Sequence, residues 1–269
     1  MPPSQTHLPH YERPPVIEVV CGIQFASPAG FGSVHFGRFY DRVRREFPDS
    51  EEQSPLTEAF EGPLGVQAQA QIAFDLPPLR RVFFKTTDGN FLLQVQPTRF
   101  LANWRRVRDT DEYPRFSAAF DRFRRGWAEF LAMLKEEGLA VPRANQYELT
   151  YINHLAQPGD TFPAAMPKYL RSVPWAMQPE GLLKNPKAAM SRVTFPLTDA
   201  AGSLHVTANH GVRAQDQKPV MVVDMTARGA AAEDWSDLEN WFNVAHEHIV
   251  SGFTELTTDE AHRLWKRVQ

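Results

Sequence analysis

At 269 residues, with 42% hydrophobic and 23% charged side chains, the chain has the composition of an ordinary globular protein and enough length for a substantial core. A formal net charge of -3 supplies no global field that would draw it onto nucleic acid or an anionic membrane. The single cysteine, Cys21, excludes an internal disulfide and fits a reducing, cytoplasmic setting.

Met1 to Pro15 is polar and Pro-rich and lacks the basic start and apolar centre of a signal peptide, so residues 1–14 are read as a disordered tail. No apolar run approaches the roughly 18 residues of a transmembrane helix. Val16 to Phe25 is β-branched and bounded by Pro and Ser-Pro, which predicts a strand with Cys21 buried in it. Phe36, Phe39, Tyr40, Val43 and Phe47 recur at helical spacing and stop at Pro48. Asp49 to Pro55 is acidic and turn-like, and Val66 to Phe74 alternates like a strand.

Arg81 to Thr86 and Phe91 to Gln96 flank Asp88-Gly89, the residues a tight hairpin turn needs. Phe100 and Trp104 read as a short extended or helical continuation beyond Pro97. Tyr113-Pro114 precedes a long helix whose stripe of Phe116, Phe120, Phe123, Trp127, Phe130, Leu131 and Leu134 ends at Gly138. The pattern then restarts. Tyr147 to Leu155 is a strand and Pro163 to Leu170 a short helix. Met190 to Leu197 and Ser203 to Asn209 form a second hairpin, and Pro196 places the first of these strands at an edge or ends it early. Val220 to Met225 is a strand, Trp235 to Phe253 a second long helix, and Thr258 with Asp259 and Glu260 opens a last short helix.

Arg81, Val82, Phe84, Thr87 and Asp88 recur as Arg192, Val193, Phe195, Thr198 and Asp199. This echo predicts an α+β protein built by internal duplication. Residues 15–140 and 141–269 would each run strand–helix–three strands–helix. Together they would form one globular body: a mostly antiparallel sheet with the long helices on one face. The two strand sets align with an offset, since the echo falls on the second strand of one set and the first of the other. Residues 156–189, crowded with proline and carrying Tyr169 and Trp175, interrupt the second unit as a crossover or binding loop.

Pro15-Val16-Ile17-Glu18, the strand Tyr147 to Asn153, Val222-Val223-Asp224, and the ending Ala245-His246-Glu247 through Trp265 carry a family resemblance. In order and spacing they resemble a sporadically distributed bacterial family of uncharacterised proteins of about this length. Its members show a Pro-Ile-x-Glu start, a Tyr-Ile-Asn middle strand and a C-terminal His-Glu and Trp helix. Thr150 stands before Tyr151 where that family often has Arg. The resemblance implies no activity; its scattered distribution implies an accessory role, as in mobile-element or defence loci. The doubled plan also resembles, in architecture alone, the saddle of the TATA-binding protein.

No nucleotide-cradling loop and no nucleophile elbow is present. His246-Glu247-His248 places two imidazoles on different sides of a helix, so the pair is not a metal motif, and neither a metal nor a cofactor is expected. Three readings remain. The first is a non-catalytic binding or adaptor protein that holds a protein partner through Tyr169 and Trp175. The second is a nucleic-acid-binding surface of Trp104, Arg105, Arg106, Arg108, Arg122 and Arg125, in which an aromatic ring stacks bases and guanidinium groups hold phosphates. The third is a small-molecule binder or enzyme with a pocket between the sheet and the Pro-rich loop. Glu18 and Asp224 would form a buried acid pair there if they face inward, or else pair with Arg81 or Arg192. Oligomeric state is open.

Overall fold

The computed structural model describes residues 8–60, 67–68, 80–172, 182, 186–200, 202–213, 216–232 and 236–268. Strand β1 (Val16–Phe25) sets the plan. Its alternation sends Val19, Cys21, Ile23 and Phe25 into an apolar core and turns Glu18, Gly22 and Gln24 to the opposite face. β1 is hydrogen-bonded on both sides, to β7 (Arg99–Arg105) and β8 (Ala144–Leu155).

From this centre the sheet grows outwards. On one side follow β6 (Phe91–Gln96), β5 (Arg81–Lys85) and the edge strand β2 (Asp49–Gln53). On the other follow β11 (Pro219–Ala230), β10 (Ser203–Val212) and the edge strand β9 (Met190–Pro196). All nine strands pair antiparallel. Two short pieces, β3 (Ala59–Phe60) and β4 (Gln67–Ala68), pair separately. The protein is α+β.

Helices α1 (Ser33–Val43), α2 (Arg115–Glu136) and α4 (Leu238–Leu256) cover one sheet face. The stripe of α2 packs onto β1 and β7, with Phe130 5.9 Å from Phe25 and 5.6 Å from Phe100 between ring centres. Phe39 of α1 joins the same cluster, edge-on to Phe84 and Phe100. Phe242 of α4 lies against Tyr147 of β8 and against Phe120 and Phe123 of α2. Burying each such ring is worth roughly 1.5–3 kcal/mol, so the aromatic seam dominates cohesion. Two shorter helices, α3 (Met166–Tyr169) and α5 (Asp259–Leu264), pack on each other. Thr258 caps α5 by accepting from the Ala261 amide, as its sequence predicts. Among the described residues no helix is long and apolar enough to cross a membrane.

Several expectations change. Arg99–Arg105 is a full central strand, paired on both sides with β1 and β6: Phe100, Ala102 and Trp104 face the core and alternate with Arg99, Leu101, Asn103 and Arg105. Adding it removes the offset between the two strand sets, because β5 and β9, which carry the echo, now both stand fourth from the centre line. The acidic turn at Asp49 is instead strand β2, held by the cross-strand ion pair Lys85–Glu51 and by Arg80–Glu52. Its charges suit an unpaired edge. Of the strand expected at Val66 to Phe74, only Gln67–Ala68 lies within the described residues. Residues 8–14, read as the end of a disordered tail, are pinned to the C-terminus. Tyr11 bridges to Arg267 and is buried, its hydroxyl 2.9 Å from that of Thr254. Pro196 ends β9 at the sheet edge, as expected.

The β9–β10 turn depends on Gly202, whose φ of 130° is unfavourable for other residues and where a Cβ would collide with the Arg228 carbonyl oxygen. Gly202→Ala should therefore cost about 2–4 kcal/mol in urea denaturation. Gly211→Ala, on the same strand with open space around it, should shift the midpoint little. Equal effects of the two substitutions would refute this account of the turn.

Candidate functional site

The two faces of the sheet carry different chemistry. On the helix-covered face, a cavity of about 200 Å³ lies where segment 8–16, the start of α2, the end of β8 and the middle of α4 meet. Leu8, Val16, Phe116, Ile249, Val250 and Phe253 supply apolar walls. The polar groups are Tyr113, Tyr151, Asn153 and His246, with Arg115 and His10 at the rim.

Each group is placed by an element. Tyr151 belongs to the inward row of β8, together with Tyr147 and Leu149. His246 sits on the apolar side of α4, one position from Ala245, and stacks flat on Phe116 at 4.1 Å. Tyr113 precedes α2 and leans on Trp104. Arg115 adopts φ 73°, and its guanidinium donates to the Tyr11 carbonyl while lying 3.1 Å from His10 Nε2. A positive φ at a non-glycine residue is costly, and it is held here by contacts from the N-terminal segment.

Tyr113 and Tyr151 share a hydroxyl–hydroxyl hydrogen bond of 2.8 Å, and the Tyr151 hydroxyl lies 3.1 Å from His246 Nδ1. Burial pushes the His246 pKa down to about 4 and raises both phenols above their ordinary value. All three groups are neutral at pH 7. A neutral imidazole has one N–H and one lone pair, so the chain has two polarities. If Tyr113 donates to Tyr151 and Tyr151 to Nδ1, then Nε2 carries a spare N–H. If Nδ1 donates to Tyr151 and Tyr151 to Tyr113, the spare donor is the Tyr113 hydroxyl and Nε2 accepts. The chain can therefore offer a donor or an acceptor at either end. Held far from neutrality, these groups suit recognition better than proton abstraction, for which a pKa near the operating pH is best.

On the other face, amides and charges replace aromatics. Arg81 Nη1 donates to Gln94 Oε1 at 2.9 Å, Gln94 Nε2 to Asn103 Oδ1 at 2.7 Å, and Asn103 Nδ2 to Glu18 Oε1 at 2.6 Å. Arg99 donates to Gln24 at 2.6 Å and Arg228 to Glu148 at 2.6 Å. Thr226 donates to Asp224 at 2.7 Å, so Thr150 must be the donor in its 2.8 Å contact with Thr226. Glu18 and Asp224 stand in one register row, separated by Ile152. Burial raises the pKa of each; Asp224 adds a smaller rise to Glu18, and Glu148 a smaller rise to Asp224, against the lowering by their own hydrogen bonds. They do not share a proton or a partner. Neither pairs with Arg81 or Arg192; Asn103 and Thr226 take those places.

The other predicted site residues are scattered. Trp104 is 2% exposed on the core side of β7 and presents no ring face to a base. Arg105 points to the opposite face and donates to the Gly89 carbonyl. Arg106 is half-buried, and Arg108 is exposed in the following turn. Arg122 bonds Glu46 at 2.8 Å and covers the Phe91 ring at 3.7 Å, while Arg125 lies 3.8 Å from Glu46. These residues do not form one surface, because strand alternation splits Trp104 from Arg105 and helix α2 turns its arginines toward α1. Tyr169 is fully buried, bonds Asp160 and stacks on Trp265, so it is a core residue. Trp175 lies outside the described residues. Among the described residues no group of three or more His, Cys, Asp or Glu side chains converges on a metal position.

Sequence reasoning missed the Tyr113–Tyr151–His246 chain. Its members lie 38 and 95 positions apart, and no local spacing reports such a contact. The visible signal was a histidine on the apolar stripe of a helix. No protein-family model matches the chain, and no curated protein does.

The depressed His246 pKa makes a pH prediction. The unfolded chain takes up the proton near pH 6.5 and the folded chain only near pH 4, so this contribution is complete above 6.5 and is lost as pH falls through 4. The loss should be about 3 kcal/mol, from roughly 1.4 kcal/mol per pH unit. Denaturation curves at pH 7 and pH 4 should show a smaller difference in His246→Asn than in the unaltered protein; an unchanged difference would exclude a buried neutral imidazole.

Proposed function

We propose that the protein is a non-catalytic small-molecule-binding protein whose site is the cavity between segment 8–16, α2 and α4. The observation that carries this reading is the hydrogen-bonded Tyr113–Tyr151–His246 chain, which ends in a cavity with mainly apolar walls. Pockets of this kind pair apolar walls with a few placed polar groups. The size matters as well: an apolar cavity of roughly 150 Å³ accepts a benzene-sized molecule. The ligand is accordingly compact and mainly apolar, about one ring in size, with one hydrogen-bonding group. Because the chain reverses polarity, a hydroxyl or a carbonyl satisfies it.

Phenol and benzene test the site together. Phenol should bind more tightly than benzene in calorimetric titration. In Tyr151→Phe, which breaks the chain but keeps the ring, the advantage should fall by about tenfold, the worth of one hydrogen bond of about 1.4 kcal/mol. If neither probe binds, or if the phenol advantage survives the substitution, the reading fails.

A protein partner is a second reading, favoured by the contrast between the sheet edges. β2 is acidic, whereas β9 has no acidic residue and leaves Met190, Val193 and Phe195 exposed. An unprotected edge of this kind accepts a strand from another chain. Val193→Lys should abolish any complex found with the native protein by cross-linking. A complex that persists in this variant would place the partner elsewhere.

The duplication belongs to the same reading. Support comes from the strand order, in which β7, β6, β5 on one side answer β11, β10, β9 on the other, and from α2 and α4, which follow β7 and β11. We take the chain to be a member of the sporadic bacterial family it resembles, working inside the cell in an accessory system.

A further inference from the structure

On the polar face of the sheet, Arg81 and Arg99 have no ionic partner among the described residues. Arg99 on β7 pairs in register with Gln96 on β6, and Val82, the neighbour of Arg81, pairs with Val95. Arg81 and Arg99 therefore lie on one face two strands apart, with Cα atoms roughly 10 Å from each other. Arg99 is only 6% exposed and, among the described residues, its side chain bonds Gln24. Arg81 is half-buried, stacked on Phe83 at 4.8 Å and bonded to Gln94. The Nε atoms of both are buried and have no hydrogen-bond partner among the described residues.

The described carboxylates on this face are engaged elsewhere: Glu51 by Lys85, Glu148 by Arg228, Glu18 by Asn103 and Asp224 by Thr226. Glu148 and Glu58 temper the Arg99 charge from a distance, and the Arg99 charge is felt at Arg81, whose pKa is lowered first by burial and then by that repulsion. Taking a guanidinium out of water without an ion partner is costly, and two neighbours of like charge add to the cost. A fold that keeps both, each supported by a glutamine and one by an aromatic ring, has the features of a site preorganised for an anion. Guanidinium forks bind planar and tetrahedral oxyanions through pairs of N–H groups, and an unused Nε–H is one member of such a pair.

We propose that Arg81 and Arg99 form an oxyanion-binding site on the polar face of the sheet, which takes a phosphate, sulfate or carboxylate group between the two guanidinium groups with each Nε–H as a donor. The site is separate from the aromatic cavity and lies on the opposite side of the sheet.

Calorimetric titration of the full chain with inorganic phosphate, sulfate and acetate, at ionic strength held constant with chloride, tests the proposal. At least one of these anions should bind saturably while chloride does not, and the phosphate and acetate arms tell a tetrahedral group from a planar one. Arg99→Gln and Arg81→Gln should each weaken binding by at least about tenfold, the loss of one charge-assisted contact. Without anion, Arg99→Gln should melt no lower than the unaltered protein, since it removes a buried unpaired charge; a purely structural arginine would lower the melting temperature. Should Arg99→Gln not fold, the half-buried Arg81→Gln carries the binding test. Absence of saturable binding by all three anions, or unchanged affinity in the folded variants, would overturn the proposal.

Discussion

β1 and β8 run antiparallel from Val16 opposite Asn153 to Phe25 opposite Ala144, and within the nine-stranded sheet no other strand pair joins its two arms. Cys21 faces Leu149, and Ile23 faces Tyr147, all fully buried under the helices. A one-residue slip in this pairing would turn every side chain of one arm to the wrong face. It would carry Tyr151 away from Tyr113 and His246, and Glu148 and Thr150 into the core. Both chemical surfaces thus inherit their geometry from a single register.

That register works because the two faces have been given incompatible contents. The helix side is a continuous seam of Phe, Tyr and Trp, in which ring packing tolerates no unpaired polar group. The opposite side contains Gln24, Gln94, Gln96, Asn103 and Gln146, all nearly inaccessible to solvent, and satisfies them with one another and with the strap at Leu56 and Ala59. Amides suit this role because each both donates and accepts, so a row of them can transmit a direction from Arg81 to Glu18. Antiparallel sheets commonly leave such a face to water. Here the amides of that polar face are buried instead.

Much of the fold was legible in the sequence. The aromatic stripe from Phe116 to Leu134, the Asp88-Gly89 turn and the cap at Thr258 are local signals, and each corresponds to the element it predicts. Two strands were not. β7 was obscured by the Arg-Arg-Val-Arg run at its end, which suggested a nucleic-acid surface, and β2 by its acidity, which is the normal dress of a protected edge. Site residues fared worse. Tyr169 and Trp104 drew notice as aromatics beside prolines or arginines, but composition does not reveal to which face a strand or short helix turns a ring. The cavity residues were invisible because they meet only after β8, α2 and α4 have packed.

The pinned N-terminal segment gives the cavity an unusual timing. Leu8 to Val16 form part of its wall, yet that segment is held by the last residues of the chain, through the Tyr11–Arg267 bridge and the Val268 amide bonded to the His10 carbonyl. Segment 8–16 can close over the cavity only once residues 265–268 have folded back against it. An incomplete chain could pair β1 with β7 and bury much of the first arm, but it would carry an unroofed hollow. Closure of this wall would then come late in folding, because it waits for a contact between segments that are among the most distant in the described sequence.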